Sequence, residues 1–308
     1  MPDFLPPRPR YQKERALYAY PLCAAFVILF TVRLLDRFHV LALGSLWHTL
    51  ALQAIVFFLP ALIFIRMRGR GYTRVLRLRR PYAAHIPLLI AAFFALFSGA
   101  LLLSILFGGM DSLGGGTTAF EQGAQLSPWR LLLAIPVVAV LPALFEELLF
   151  RGVLCAELDR RGALRTVLVS ALLFALIHFD LANLPVYFFA GALLALVLYA
   201  TDSLIATMLL HAAYNLLSLL AQRYLAAFYH FTGSVELFLF VFIIIFLLSA
   251  LVFTKQCAKL YRVREENGLR APRRDIPRTV QLYTMIDVFC EWPVVLCILL
   301  SVIGFILF

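Results

Sequence analysis

The chain has 308 residues, of which 63% are hydrophobic and only 14% are charged, yet its formal net charge is +10. A soluble domain of this length could not hide so much apolar surface, so the composition excludes a soluble globular fold and indicates the lipid bilayer as solvent. The basic residues lie in short stretches between apolar runs, which excludes the clustered basic surface of a nucleic-acid-binding domain and favours a signal for membrane orientation.

Apolar runs of the length that crosses a bilayer, about 17 to 25 residues, recur along the whole sequence. They predict an all-α fold, a polytopic transmembrane helical bundle of eight or nine spans. The predicted helices cover residues 17–35, 40–65, 82–107, 129–157, 163–179, 184–200, 203–222, 235–254 and 283–308. Pro293 interrupts the last of these, so eight spans with a terminal interfacial helix is the alternative. The first run is too long for a signal-peptide core and is interpreted as a retained helix.

The placement of lysine and arginine predicts the orientation of the chain. With a cytoplasmic N-terminus, the stretches 1–16, 66–81, 151–165 and 255–282 face the cytoplasm and hold 23 of the 27 basic residues. This asymmetry follows the positive-inside rule. We interpret the stretch 66–81 as an orientation signal, with attachment to an anionic leaflet as the alternative.

The order of these elements divides the chain into three segments. Residues 1–128 carry three membrane spans and a glycine-rich outer loop at 108–128, and residues 129–222 form a core of four membrane helices. Residues 223–308 hold the C-terminal spans and a basic cytoplasmic segment. The five cysteines include no CxxC pair, so we predict neither a disulfide framework nor thiol chemistry.

The first ionisable motif at membrane depth is PALFEELLFRG, residues 142–152. Glu147 and Arg151 are four residues apart, so they share a helix face and are expected to pair. Glu146 lies about 100° away around the helix and has no helical partner of opposite charge. Desolvation favours the protonated form of such a carboxyl group, which would prepare Glu146 for proton transfer near neutral pH. A structural salt bridge with one spare glutamate is the alternative interpretation.

Two further motifs place imidazole groups on later helices. In FALIHF, Phe174 and His178 lie four residues apart on one helix face. In HAAYN, His211 and Asn215 have the same spacing. Each motif alone is also consistent with hydrogen bonding between packed helices.

Residue counting places these groups at overlapping depth in the membrane. Glu146 and His178 each lie ~20–25 Å from the basic turn between their helices, and His211 and Asn215 lie ~14–20 Å from the start of theirs. A carboxylate beside a neutral imidazole can take a proton from water, while a second imidazole and an amide can donate hydrogen bonds to an oxyanion. Zinc is the competing interpretation, because two histidines and a glutamate can bind it. The positive charge of Arg151 disfavours the binding of a second cation, such as zinc, at this site.

The three motifs, in this order on membrane helices, resemble a known family. EELLFR, FALIH and HAAYN are similar to the EExxxR, FxxxH and HxxxN motifs of the CPBP family, the CAAX prenyl endopeptidases and Abi-type glutamic intramembrane proteases. The resemblance covers residues 129–222. It implies a helical membrane bundle with a cavity open to the cytoplasm, and a site that needs neither a metal nor another cofactor.

The resemblance also implies a role for each motif residue. Glu146 would activate water with the help of His178, and His211 and Asn215 would stabilise the oxyanion. The residues that would orient these groups are Glu147, Arg151 and Phe174. Relatives cleave prenylated CAAX tails, bacteriocin leaders or protein sorting signals, so the implied substrate is a membrane-delivered peptide or protein. The implied location is the plasma membrane of a prokaryote.

Three alternatives to this hypothesis remain open from the sequence. A proton-coupled transporter would use the same residues as a relay, but it needs a polar path to the outer side. A non-catalytic assembly or immunity factor would use the cluster only to hold helices together. A zinc-dependent membrane protease would use the histidines as ligands.

Overall fold

The computed structural model is all-helical in its described part, which comprises residues 17–40, 46–69, 71–108, 128–159, 162–268 and 277–308. The helices, in chain order, are α1 (Ala19–Arg37), α2 (Leu46–Arg68), α3 (Ala83–Gly108), α4 (128–158), α5 (Ala163–Leu176), α6 (Leu184–Thr201), α7 (Leu204–Thr232), α8 (Val235–Glu266), α9 (Arg278–Phe289) and α10 (Trp292–Leu307). The predicted all-α class is confirmed. The stretch 1–16 and almost all of the predicted loop 108–128 lie outside the described residues.

Six helices of the described chain are long and apolar enough to cross a bilayer, namely α1, α2, α3, α4, α6 and α8. The number reaches eight when two bent elements each count as one span: α7, which bends by 65°, and the pair α9 and α10, which meet at 74°. Of the nine predicted spans, the one that this count leaves out is the fifth, 163–179, where the structure has the shorter helix α5. Helix α5 has only 14 residues, so it is about 21 Å long and shorter than the ~30 Å hydrocarbon core.

Helix α4 departs twice from regular α-helical geometry. Two π-helical stretches, Ile135–Val140 and Leu148–Leu154, lie on either side of the α-helical segment Leu141–Glu147. Pro136 lies at the start of the first π-helical stretch, and Pro142 lies at the start of the α-helical segment. Neither proline has the backbone N–H that would continue the helical hydrogen-bond pattern. Single π-helical turns are rare and occur frequently at functional sites. In α4 they enclose the turn that carries both glutamates.

Two apolar cores flank the middle of the bundle. The first joins α1, α2, α5, α10 and the C-terminal half of α4, and it buries Phe150 and Phe179. The second joins α3, α6, α7 and α8, and it buries Leu96 and Leu194. Helices α4 to α7 therefore meet between the cores, away from the lipid-facing side chains on the outside. At this position the two adjacent glutamates of α4 and the first histidine of α7 are buried, whereas His178 and Asn215 are partly exposed.

The basic segment between α2 and α3 is fastened to the ends of the central helices. Arg77 binds Asp159 at 2.8 Å and Asp202 at 3.3 Å, and Arg79 binds Asp202 at 2.6 Å. Ser203, the N-cap residue of α7, donates its hydroxyl to the backbone carbonyl of Arg79. This segment is therefore part of the packed structure at the start of α7.

Candidate active site

The pair expected from the first motif is formed inside α4. Nη1 of Arg151 donates to Oε1 of Glu147 at 2.7 Å, and Nη2 donates to the backbone carbonyl of Gly191 on α6 at 3.0 Å. The two charged side chains have no solvent exposure. A buried charge needs both a counter-charge and hydrogen bonds. Arg151 has the counter-charge and bonds from both Nη atoms, while its Nε has no hydrogen-bond partner among the described residues. The pair thus joins α4 to α6 at the level of the glutamates.

His211 lies between the two adjacent glutamates. Its Nδ1 is 2.9 Å from Oε1 of Glu147, and its Nε2 is 4.0 Å from Oε2 of Glu146. A carboxylate can only accept hydrogen bonds, so Nδ1 carries the hydrogen in this contact. In the neutral ring, Nε2 is then the unprotonated atom. A proton taken up by His211 would sit on Nε2, facing Glu146.

Glu146 differs from Glu147 in its surroundings, although the two are neighbours in sequence. Its side chain is buried, with a relative exposure of 7% for the residue. Within the described residues its carboxylate makes no hydrogen bond, and its only ion-pair neighbour there is His211. Glu146 is therefore the carboxyl group of the site that is available to a substrate or a water molecule.

His178 lies just beyond the end of α5. Its Nδ1 is 2.7 Å from the carbonyl oxygen of Phe174, and a carbonyl only accepts, so Nδ1 is again the donor. Its ring stacks on Tyr187 of α6, with ring centroids 3.8 Å apart. No hydrogen bond joins His178 to Glu146 in the part of the chain that the structure describes. The unprotonated Nε2 is the free atom of this ring.

Phe174 contacts the charged and aromatic groups from three helices. Its ring lies 4.4 Å below the guanidinium of Arg151, and its centroid is 5.0 Å from that of His178 and 6.0 Å from that of His211. Cation–π attraction and edge-to-face ring contacts both favour this arrangement. Phe174 thus contacts both imidazoles and the guanidinium of α4.

Asn215 reaches α4 one helical turn after His211. Its Nδ2 donates to the carbonyl oxygen of Ala139 at 3.3 Å, in the first π-helical stretch. The side chain is partly exposed, whereas His211 is buried. The structure therefore places Asn215 beside α4. Its contact there, Ala139, lies seven positions before Glu146 in the sequence.

Three residues outside the motifs complete these contacts, and the motif spacing did not indicate them. Gly191 supplies a carbonyl to Arg151, Ala139 supplies one to Asn215, and Tyr187 supplies a ring to His178. Among the described residues, no three His, Cys, Asp or Glu side chains come together in an arrangement that could hold a metal ion. All five cysteines are free.

The helices and this buried cluster define an integral, multi-pass helical membrane protein with a polar site between its central helices. Residues 128–217 match a protein-family model described as type II CAAX prenyl endopeptidase Rce1-like. The match confirms the resemblance to the CAAX protease family, and it contains all seven motif residues. It implies a protease, and it supports a CAAX-type intramembrane protease in general. Neither a curated protein nor a solved structure matches the chain.

Proposed function

We propose that the protein is an intramembrane endopeptidase of the glutamic type, which hydrolyses a peptide bond of a membrane-delivered peptide or protein. Glu146 and His178 activate the water, and His211 and Asn215 stabilise the oxyanion. The observation that carries this proposal is the 4.0 Å approach of His211 Nε2 to the buried carboxylate of Glu146, which makes no hydrogen bond with the described residues. The family match of residues 128–217 supports the reaction class.

In the proposed reaction a single proton is transferred, first from water to Glu146 and then from Glu146 to the leaving amine. The water oxygen attacks the carbonyl carbon of the scissile amide while Glu146 takes one water proton. Nε2 of His178 accepts a hydrogen bond from the other hydrogen of the water and orients it. The C–N bond then breaks as Glu146 returns its proton to the amide nitrogen. The products are a carboxylic acid and an amine, and Glu146 is ionised again.

The carbonyl oxygen of the substrate gains the negative charge in the first step. A protonated His211 can donate from Nε2, because its Nδ1 hydrogen is already used by Glu147. The carboxylate of Glu147 offsets the positive charge of that imidazolium, and Arg151 holds the carboxylate in place. Asn215 supplies a second donor through the Nδ2 hydrogen that is not bonded to the Ala139 carbonyl. Donors held in position before the reaction stabilise an oxyanion most strongly.

The experiment that tests this proposal replaces Glu146 by glutamine, which keeps the shape of the side chain and removes the base. Purified protein in liposomes is incubated with a library of membrane-anchored peptides, some of them prenylated, and products are mapped by mass spectrometry. We expect Glu146→Gln to lower the cleavage rate by at least ~100-fold. The matched control is Glu236→Gln, at an exposed glutamate in the first turn of α8, which should cleave like the wild type.

Two outcomes would contradict the proposal. Full activity of Glu146→Gln would remove Glu146 from the chemistry. Failure of the wild type to cleave any peptide, together with reduced stability of Glu146→Gln, would favour a non-catalytic assembly factor in which the cluster only holds helices together.

The proposed orientation has the N-terminus in the cytoplasm of a prokaryotic cell, and no nucleic acid takes part.

A further inference from the structure

The imidazole of His178 is covered on one face by a tyrosine. The rings of His178 and Tyr187 are nearly parallel, with an interplanar angle of 14° and centroids 3.8 Å apart. At this separation the two rings are in direct van der Waals contact. Tyr187 lies in the first turn of α6, and its backbone N–H donates to the carbonyl of Asn183 at 3.0 Å. The ring therefore starts from a fixed backbone position.

The connection that brings Tyr187 to this place is itself tightly held. Asn183 donates its backbone N–H to Oδ1 of Asp180 at 3.1 Å and its side-chain amide to Oδ2 at 2.9 Å. Phe179 adopts a left-handed conformation with φ of 50°, which is a strained choice for a bulky residue, and its ring is buried in the first apolar core. These contacts fix the turn between His178 and Tyr187.

Three contacts hold the imidazole of His178, and among the described residues they leave only its Nε2 without a hydrogen bond. The Phe174 carbonyl holds Nδ1 at 2.7 Å, the Phe174 ring meets the imidazole edge-to-face at 65°, and Tyr187 covers the flat side. Rotation of the imidazole about its Cβ–Cγ bond would break the hydrogen bond and turn the ring out of the stack. Nε2 is thereby held in one direction.

We propose that Tyr187 is a positioning residue for His178: its stacked ring holds Nε2 in the direction that orients the attacking water. This inference rests on the proposed function. The phenol hydroxyl is not part of this argument, so phenylalanine should serve equally well.

The test compares Tyr187→Phe, which keeps the stacked ring, with Tyr187→Leu, which removes it and keeps an apolar side chain. We expect Tyr187→Phe to retain kcat within about twofold. Tyr187→Leu should lower kcat by at least about 10-fold with little change in KM, since ~1 Å of misplacement can cost ~100-fold. The control is Tyr283→Leu, at an exposed tyrosine on α9, which should not change either constant.

A second measurement reads the stack without any substrate. In protein labelled with ¹³C and ¹⁵N at histidine, the ring protons of His178 should show an upfield ring-current shift and the Nδ1–H tautomer. The signal is assigned by its loss in His178→Gln. Both features should persist in Tyr187→Phe, whereas the ring-current shift should be lost in Tyr187→Leu.

The outcomes separate this inference from the proposed function. If Glu146→Gln abolishes cleavage but Tyr187→Leu keeps full kcat, the positioning role is overturned and the proposed function stands. A missing ring-current shift in the wild type would overturn the stack itself. If the wild type cleaves no peptide, the proposed function and the catalytic part of this inference fall together, while the spectra still decide the stack. Loss of kcat in both Tyr187→Phe and Tyr187→Leu would assign the effect to the hydroxyl and overturn the stacking argument.

Discussion

Oε1 of Glu147 lies 2.9 Å from Nδ1 of His211, although the two residues are 64 positions apart in the chain. The same oxygen accepts a hydrogen bond from Arg151, which also donates to the Gly191 carbonyl on α6, so the Glu147–Arg151 pair joins α4, α6 and α7. Two neighbouring glutamates thus have different tasks. Glu147 binds an imidazole and a guanidinium, while the carboxylate of Glu146 lies beside that imidazole and makes no hydrogen bond to the part of the chain that the structure describes.

The first prediction concerns the buried ion pair. Glu147→Gln leaves the Arg151 guanidinium buried without a counter-charge, which should lower the free energy of unfolding by about 3–5 kcal/mol. The double variant Glu147→Gln/Arg151→Met removes both charges and should recover at least half of that loss. The measurement is unfolding in mixed detergent micelles. A double variant whose loss equals the sum of the two single losses would contradict the pairing.

The second prediction concerns the amide on α7. Asn215→Ala removes a proposed oxyanion donor and should lower kcat about 100-fold with a small effect on KM. Initial rates on a cleaved library peptide provide both constants. Asn267→Ala changes an exposed asparagine at the end of α8 and is the matched control. A rise in KM with unchanged kcat would show that Asn215 only binds substrate.

The third prediction concerns close packing between α5 and α6. A Cβ atom on Gly191 would lie 2.9 Å from Cα of Ala171, which is backbone and cannot rotate away. Gly191→Ala should therefore separate the helices and destabilise the fold by about 1–3 kcal/mol. It should also lower activity, because the Gly191 carbonyl holds Arg151. Gly71→Ala has open space around its Cβ position and should leave stability unchanged, which thermal unfolding of both variants will show.

The fourth prediction separates glutamic from zinc chemistry. Arg151 and Glu147 place a fixed cation and its partner beside His211, which disfavours binding of a second cation there. Cleavage should therefore continue after treatment with a strong chelator and dialysis. The readout is the cleavage rate before and after treatment, with and without added zinc. Loss of activity that zinc restores would replace the proposed mechanism by a zinc-dependent one.

Helix periodicity was sufficient to predict the parts of the site that lie on one helix. The Glu147–Arg151 pair follows from a spacing of four residues, and the apolar runs predict where most helices lie. The length of α5 was less predictable, since the apolar run continues to Phe179 while the α-helix ends at Leu176. Hydropathy does not mark that end, because Phe179 turns into the left-handed region within an apolar segment.

For contacts between helices, the sequence predicted only the depth of each residue in the membrane. Counting residues placed His178 and His211 at overlapping levels with Glu146, but it gives no rotation of one helix relative to another. The structure brings His211 to Glu146 and turns His178 toward Phe174 and Tyr187. The π-helical stretches of α4 add to this difficulty, because they alter the angle between successive residues near the glutamates.

The fastening of the basic segment changes how membrane insertion of this protein can be studied. Counting positive charges treats every arginine of the segment as interchangeable, yet Arg77 and Arg79 are bound to carboxylates at the ends of central helices. Arg74 and Arg80 are exposed, and neither has an ion pair within the residues that the structure describes. Neutralising the whole segment to invert the topology would therefore also release the start of α7. Exchanges at Arg74 and Arg80 alone would report on insertion without disturbing the helix that carries His211.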